Sequence, residues 1–205
     1  RQITNNKRPV ESVDDLRGMR IRVVGSPIFV DTFQALGADP INMNWGDATT
    51  AFQQGVVDGQ ENPVGILVPV GIFRYHRYVT LWNYCVDPLI IYWNKKEWDG
   101  FPEDVKAGIL EAAREAGRFE TALCRAGLDD GASLRILKRE FGFEMKIPDP
   151  LAYLREKGMT VVVPDKEEIE KFKSAVREVY EKWVPKIGEE LVRKAEADMS
   201  NRETE

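Results

Sequence analysis

The chain has 205 residues, of which 43% are hydrophobic and 31% charged, enough to bury the core of one large or two small domains. Its net charge of -5, with basic residues scattered among acidic ones, gives no general attraction to nucleic acid or anionic lipid. The longest apolar stretch, Val86 to Trp93, is interrupted by Asp87 and Pro88 and is too short to cross a bilayer. We therefore expect no nucleic acid partner and no direct insertion into a membrane.

The first part of the chain alternates strand and helix patterns. Residues 20–24 predict a strand, in which alternation places Arg20 and Arg22 on one face and Ile21 and Val23 on the other. A helix is predicted over residues 28–36, and the alternation of Ile41, Met43 and Trp45 predicts a second strand. Asp47 is expected to cap a short helix that Gly55 ends, followed by an extended segment.

The second part of the chain predicts further strands and longer helices. Val79 to Asn94 is rich in β-branched and aromatic residues and predicts two strands, split at Asp87 and Pro88, that cross between two lobes. Helix is predicted from Pro102 to about Phe141, either continuous or with a break near Gly127 to Gly131, and then a strand over Thr160 to Val163. A capping box at Asp165 begins a long C-terminal helix that Pro185 should kink. This order indicates an α/β protein with a mostly parallel sheet.

Two segments near the front of the chain carry groups suited to holding a carboxylate. Residues 18–23 place an arginine on a strand, and residues 58–63 place acidic and amide groups at a turn that Pro63 fixes. A guanidinium can hold a carboxylate through two parallel hydrogen bonds, and an amide can satisfy the remaining oxygen lone pairs. The pair of segments predicts ligand capture and not bond breaking.

Six segments form a pattern when they are taken in chain order. They are Asn6–Val10, Asp14–Val23, Leu36–Ala38, Val57–Pro63, Trp98–Lys106 and Leu154–Asp165. In order and spacing they closely resemble the DctP-type solute-binding proteins of TRAP (tripartite ATP-independent periplasmic) transporters. The resemblance covers nearly the whole chain.

The resemblance implies a periplasmic-binding-protein-like fold, type II-like, with two α/β lobes, a hinge and a cleft between the lobes. Residues 1–86 would form the second lobe and the start of the hinge, and residues 87–149 a crossing strand and helices that complete the first lobe. Residues 150–205 would form a return strand and a long helix packed across both lobes. The family's N-terminal segment has no counterpart among these residues, so we expect a truncated family member that lacks some ligand contacts of the first lobe.

The same resemblance implies an extracytoplasmic, periplasmic protein that captures a small organic acid and delivers it to the permease of a TRAP transporter. Arg22 would pair with the ligand carboxylate, Asn62 would contact the same carboxylate, and Trp45 would pack on the ligand. Arg1 matches a second arginine that some members use. We predict a monomer with no cofactor and no metal-binding residue.

Each of these residues has an alternative interpretation. Arg22 could pair with a surface carboxylate, as we expect for Arg20. Asn62, before a proline, could shape a turn, and Trp45 could lie in the core. Arg1 could be a disordered terminus. The flanking motifs favour ligand contact for Arg22 most strongly.

The sequence gives little support to catalysis, and we predict no catalytic residue. His76 is the single histidine and lies among aromatic residues, where a packed or surface role is commoner than general base catalysis. Two other functions stay open, a ligand-sensing module of a signalling system and a carboxylate-acting enzyme on the same fold. Candidate ligands include C4-dicarboxylates, keto and hydroxy acids, sugar acids and aromatic acids.

Overall fold

The structure is a computed structural model that describes residues 1–202. The chain divides into two compact units, each assembled from separate stretches of sequence. Unit 1 comprises Arg1–Gln2, Asn62–Arg74 and Asn83–Val161, and unit 2 comprises Ile3–Glu61, Tyr75–Trp82 and the chain from Val162 onwards. The predicted division of the lobes at residues 86 and 149 stays a prediction.

The strands of residues 1–202 form one six-stranded sheet that lies mainly in unit 2. In chain order they are β1 (Gln2–Asn5), β2 (Arg20–Val23), β3 (Asp39–Asn42), β4 (Gly59–Asn62), β5 (Tyr78–Thr80) and β6 (Thr160–Val162). Their order across the sheet is β3-β2-β4-β1-β5-β6. Strand β2 runs parallel to both β3 and β4, whereas β1 pairs antiparallel with β5. The α/β class is therefore confirmed.

Ten α-helices occur within the described residues. They are α1 (Pro27–Ala35), α2 (Trp45–Gln54), α3 (Val64–Leu67), α4 (Lys95–Asp99), α5 (Glu103–Arg125), α6 (Ala132–Phe141), α7 (Pro150–Glu156), α8 (Lys166–Ala175), α9 (Arg177–Ile187) and α10 (Glu189–Arg202). Short 3-10 helices occur at Val13–Leu16 and Ile72–Arg74. None of the helices up to residue 202 is long and apolar enough to span a membrane.

The core of unit 2 lies where helices cover the sheet. Helix α1 packs against β2, β3 and α9, and its Phe33 is fully buried. The Phe33 ring meets Trp82 edge-on at 5.9 Å, and Trp82 in turn lies 5.1 Å from Phe172 of α8. These contacts join residues far apart in the sequence into one apolar cluster on the helix that covers β2 and β3.

Strand β4 can begin only at a glycine. A Cβ atom at Gly59 would lie 2.4 Å from the carbonyl oxygen of Thr4 and 2.8 Å from the Cβ of Asn5. Both distances are shorter than van der Waals contact, so a side chain here would push β4 away from β1. Gly59 thereby fixes the position of the strand that ends at Asn62.

Unit 1 is built on the long helix α5. Its C-terminal part packs on α6 around the buried residues Ala122, Ala126 and Leu137. Helices α3 and α7 also contact each other, and α3 contacts α5. Residues 83–94 belong to the same unit as these helices.

The two strands predicted over Val79 to Asn94 are largely wrong. Only Tyr78–Thr80 forms a strand, and residues 83–94 have no regular structure. The side chains from Val86 to Tyr92 are mostly exposed, and within the described residues no neighbouring strand pairs with them. Strand propensity depends on such a neighbour, so a strand-like sequence does not suffice.

The single C-terminal helix predicted from Asp165 is also wrong, because three helices occupy that region. The side chain of Asp165 accepts a hydrogen bond from the Glu168 backbone at 2.9 Å, so the predicted start is confirmed. The breaks fall at Val176 and Gly188, and Pro185 lies inside α9. Gly188 has a φ of 111°, a conformation that L side chains rarely adopt, and this ends α9. That this region spans both lobes stays a prediction.

Candidate functional site

Arg22 lies on β2, between β3 and β4 in the sheet. In the registers of β2 it is paired with Ile41 of β3 on one side and with Gln60 of β4 on the other. The residue is 3% exposed, and its Nε donates to the carbonyl oxygen of Met43 at 2.9 Å. A guanidinium keeps its charge at any ordinary pH, so this side chain places a fixed positive charge in a buried position.

Trp45 lies against the Arg22 guanidinium. The guanidinium carbon is 5.3 Å from the centre of the Trp45 ring, which is within the range of a cation–π contact. The ring also meets Phe52 edge-on at 6.4 Å, which orients it. Trp45 itself is 38% exposed, so the pair combines a buried charge with an aromatic surface that solvent reaches.

The prediction that Trp45 belongs to a strand was wrong. Strand β3 ends at Asn42, and Trp45 is the first residue of α2. The alternation of apolar residues continues past the strand, but Asn44 is extended and serves as the N-cap, so the backbone changes conformation there. Helix α2 ends at Gly55 as predicted, and Asp47 lies in the first turn and does not cap the helix.

Arg20 of β2 is held by the carboxylate of Asp58. Its Nη2 and Nε donate to the two carboxylate oxygens of Asp58 at 2.7 and 3.1 Å, and its backbone nitrogen donates at 3.0 Å. Burial raises the pKa of Asp58, but hydrogen bonds from Arg20 and Lys7 outweigh burial and lower the pKa to about 2. The expectation that Arg20 pairs with a carboxylate is confirmed.

Asn62 and Arg1 meet in unit 1. The Arg1 Nη2 donates to the Asn62 Oδ1 at 3.2 Å, and the Arg1 Nη1 forms an ion pair with Asp87 at 2.6 Å. The backbone nitrogen of Arg1 donates to the carbonyl oxygen of Cys85 at 2.7 Å. Arg1 is therefore ordered and buried, and the alternative of a disordered terminus is wrong.

Asp87 is the charged residue that sequence reasoning missed. The sequence indicates only that Asp87 interrupts a strand. It does not indicate the ion pair with Arg1, because Arg1 lies 86 positions away along the chain. A carboxylate within an apolar stretch, followed by proline, was the available signal. The four predicted ligand residues thus form two pairs, Arg22 with Trp45 in unit 2 and Arg1 with Asn62 in unit 1.

His76 is packed inside unit 2. Its Nδ1 lies 2.9 Å from the Thr4 Oγ1, which also accepts a hydrogen bond from the Gln60 side chain at 2.7 Å. The imidazole contacts the Phe52 ring edge-on at 4.9 Å. Burial lowers the pKa of His76 to about 3, so the ring is neutral at physiological pH. A neutral, buried ring fits the packing role expected for His76. Through Thr4 and Gln60 the ring also links β1 and β4 to the segment after Arg74.

The part of the chain that the structure describes contains no cluster of three or more histidine, cysteine, aspartate or glutamate residues that could hold a metal ion. The charged groups described so far around the four predicted ligand residues include the guanidinium groups of Arg1 and Arg22 and the carboxylate of Asp87. Fixed guanidinium groups next to an amide and an aromatic ring are suited to binding an anionic organic molecule.

Two solved structures are similar to nearly the whole chain. A TRAP periplasmic solute-binding protein from Ralstonia eutropha H16, with bound (S)-2-acetolactate, is 35% identical and has a TM-score of 0.87; the match covers 98% of this chain and 59% of that one. The sugar acid binding protein DctPAm from Advenella mimigardefordensis, in complex with galactonate, is 29% identical with a TM-score of 0.80 and coverages of 94% and 56%. These matches confirm the predicted periplasmic-binding-protein-like fold.

Sequence comparison gives the same family. The 2,3-diketo-L-gulonate-binding periplasmic protein YiaO of Escherichia coli K12 is 29% identical over 123 residues, which are 60% of this chain and 38% of YiaO. The chain spans about half the length of the curated relatives it matches. The model of the DctP family, "bacterial extracellular solute-binding protein, family 7", matches residues 1–130. That match covers more than half of the chain, which therefore belongs to the DctP family of bacterial extracellular solute-binding proteins.

Proposed function

We propose that the protein is a periplasmic solute-binding protein that captures a small organic acid and delivers it to the permease of a TRAP transporter. The observation that carries the proposal is the buried Arg22 guanidinium beside the partly exposed ring of Trp45. In this proposal Arg22 holds the ligand carboxylate, Trp45 packs on the carbon skeleton, and Asn62 contacts the same carboxylate.

The physical chemistry of Arg22 supports this role. A buried guanidinium is stable only when anionic or carbonyl oxygens satisfy its donors, and Met43 contributes one such oxygen. A ligand carboxylate adds a full negative charge with matching geometry, and low surrounding polarity strengthens the ion pair. Arg20 lies two positions earlier on the same strand, but its side chain is 38% exposed and has no aromatic ring beside it among the described contacts, whereas Arg22 is buried beside Trp45. Arg22 is therefore the stronger candidate of the two.

The relatives support an acid as the ligand. Solved family members carry (S)-2-acetolactate, galactonate and D-erythronate, and YiaO is named for 2,3-diketo-L-gulonate. All four molecules are acids with hydroxyl or keto groups, and a further matched protein, from Sulfurospirillum deleyianum, carries succinate, which has neither. We infer that the ligand of this protein is a small organic acid and that the protein binds it without chemical change.

Native mass spectrometry of the purified protein, followed by calorimetric titration with such acids, tests the proposal. We expect an acid-sized mass bound to the protein and a saturable titration with at least one acid. Chemical conversion of the acid during the titration would contradict pure binding and favour an enzyme. Absence of binding to every carboxylate tested would overturn the proposed function.

A further inference from the structure

Unit 1 exposes a run of large apolar side chains over residues 86–93. Six of them are 48 to 86% exposed, namely Val86, Leu89, Ile90, Ile91, Tyr92 and Trp93. Together these residues expose on the order of 800 Å², whereas the largest apolar patch of a typical monomeric protein measures about 300 to 600 Å². A surface of this size indicates a site at which another polypeptide packs.

The part of this run that follows Pro88 has the composition of a strand. Residues 89–93 are leucine, isoleucine, tyrosine and tryptophan, and most of these types favour strands. They have no regular structure, and no strand within residues 1–202 pairs with them. Proline has no backbone N–H, so pairing along this run would begin after Pro88. A segment of this kind can take up a second strand through main-chain hydrogen bonds.

An apolar cavity lies beside the same segment. It has a volume of about 450 Å³ and is lined by Ile91, Tyr92 and Trp93 of the segment and by residues of α4 and α5. The Trp93 ring meets Phe101 edge-on at 5.7 Å, which attaches the end of the segment to the turn after α4. A strand that docks along the segment can place its own apolar side chains in this cavity, which would give the contact its specificity.

The solved relatives contain polypeptide that can cover this surface. The match to the Ralstonia eutropha protein covers 98% of this chain but 59% of that one, so about two fifths of that protein lies outside the match. The same holds for the galactonate-binding protein, where the match covers 94% of this chain and 56% of the other. The additional polypeptide of these relatives is far longer than the exposed segment.

We propose that residues 86–93 and the adjacent cavity form a docking surface for the part of a DctP-family protein that lies outside the match, and that this polypeptide adds a strand along residues 89–93. The surface belongs entirely to unit 1. The inference goes beyond the proposed function, because it concerns a polypeptide partner and requires no bound acid. A second copy of this chain is the competing occupant, and the test separates the two.

The test is co-expression of this chain with the part of the Ralstonia eutropha protein that lies outside the match, followed by native mass spectrometry and hydrogen exchange without added acid. We expect a complex that contains one copy of each polypeptide. Amide exchange over residues 89–93 should be at least about tenfold slower in the complex, because strand hydrogen bonds protect the amides. This chain alone should exchange rapidly there and be monomeric in dilute solution.

Ile90→Lys and Leu191→Lys form a matched pair of variants. Ile90 is 77% exposed, and Leu191, on α10 of unit 2, is 61% exposed, so either new side chain is solvated in the free chain. A docked strand would bury the charge at position 90, so Ile90→Lys should weaken the complex at least about tenfold. Leu191→Lys should leave its stability unchanged. Circular dichroism shows whether each variant is folded.

Three results would overturn the docking surface. They are the absence of a complex, unchanged exchange over residues 89–93 within a complex, and equal effects of the two variants. A dimer of this chain that protects the same amides without the Ralstonia polypeptide would assign the surface to a second copy and would also overturn the proposal. None of these results depends on acid binding, so failure of the docking surface is distinguishable from failure of the proposed function.

Discussion

The guanidinium carbon of Arg22 lies 5.3 Å from the centre of the Trp45 ring, although the two residues belong to different secondary structure elements. Arg22 is held by β2, and Trp45 is held by the first turn of α2. The contact therefore depends on the short connection from β3 to α2. It places an aromatic surface beside the charge that we assign to ligand binding.

Replacing Trp45 should weaken ligand binding in proportion to the aromatic character that is lost. The Trp45 ring holds the Arg22 guanidinium in place before a ligand binds, through a contact worth about 1 kcal/mol, and without it that ordering has to occur on binding, so we expect Trp45→Leu to weaken acid binding by roughly fivefold. Trp45→Phe keeps an aromatic face and should retain most of the affinity. Calorimetric titration measures both variants, and equal losses in Leu and Phe would argue against a cation–π role.

The buried His76 should make the protein less stable as pH falls. The pKa of His76 is lowered from 6.5 to about 3 by burial, so between these values the unfolded state binds a proton that the folded state does not. The contribution of His76 to stability is complete above pH 6.5 and decreases as pH falls towards 3. From about pH 7 to about pH 5 the loss should be about 2 kcal/mol.

Urea denaturation at several pH values in this range measures the effect. In His76→Phe the titrating group is absent, so the dependence on pH should become flatter, although loss of the hydrogen bond to Thr4 lowers stability at every pH. An equally steep dependence in the variant would show that other groups cause it.

Gly59→Ala should strongly destabilise unit 2. The new Cβ would lie 2.4 Å from the Thr4 carbonyl oxygen, so β4 and β1 would have to separate. We expect a loss of about 2 to 4 kcal/mol in the free energy of unfolding, measured by urea denaturation. Gly46→Ala, in α2 with no heavy atom within 4 Å of its Cβ position, is the control. It should be neutral or slightly stabilising, because alanine favours helix.

Local sequence patterns were sufficient for much of the fold. The alternation over β2 and the glycine that ends α2 are determined by neighbouring residues, so these elements could be predicted. Residues 83–94 could not, because their strand-like sequence has no pairing strand within the described chain. A sequence shows which side chains a segment carries, but it does not show which other segment lies beside that segment in the fold.

The candidate site, too, could be predicted from the sequence only in part. The motif around Arg22 and the resemblance to a family identified the arginine, and the structure then added the contact with Trp45. The ion pair between Arg1 and Asp87 joins residues 86 positions apart, so no local pattern could indicate it. Tertiary contacts of this kind determine the charge of the site, and a single sequence does not record them.

The most direct test of the central claim is the affinity for one bound acid in wild type, Arg22→Ala and Arg20→Ala, measured by calorimetric titration on proteins shown to be folded. Removing Arg22 should leave the ligand carboxylate without its partner and weaken binding by roughly a hundredfold or more. Arg20→Ala breaks the ion pair with Asp58 and should lower stability while affinity changes little. Equal losses of affinity at Arg20 and Arg22, or an unchanged affinity in Arg22→Ala, would contradict the assignment of Arg22 as the carboxylate-binding residue.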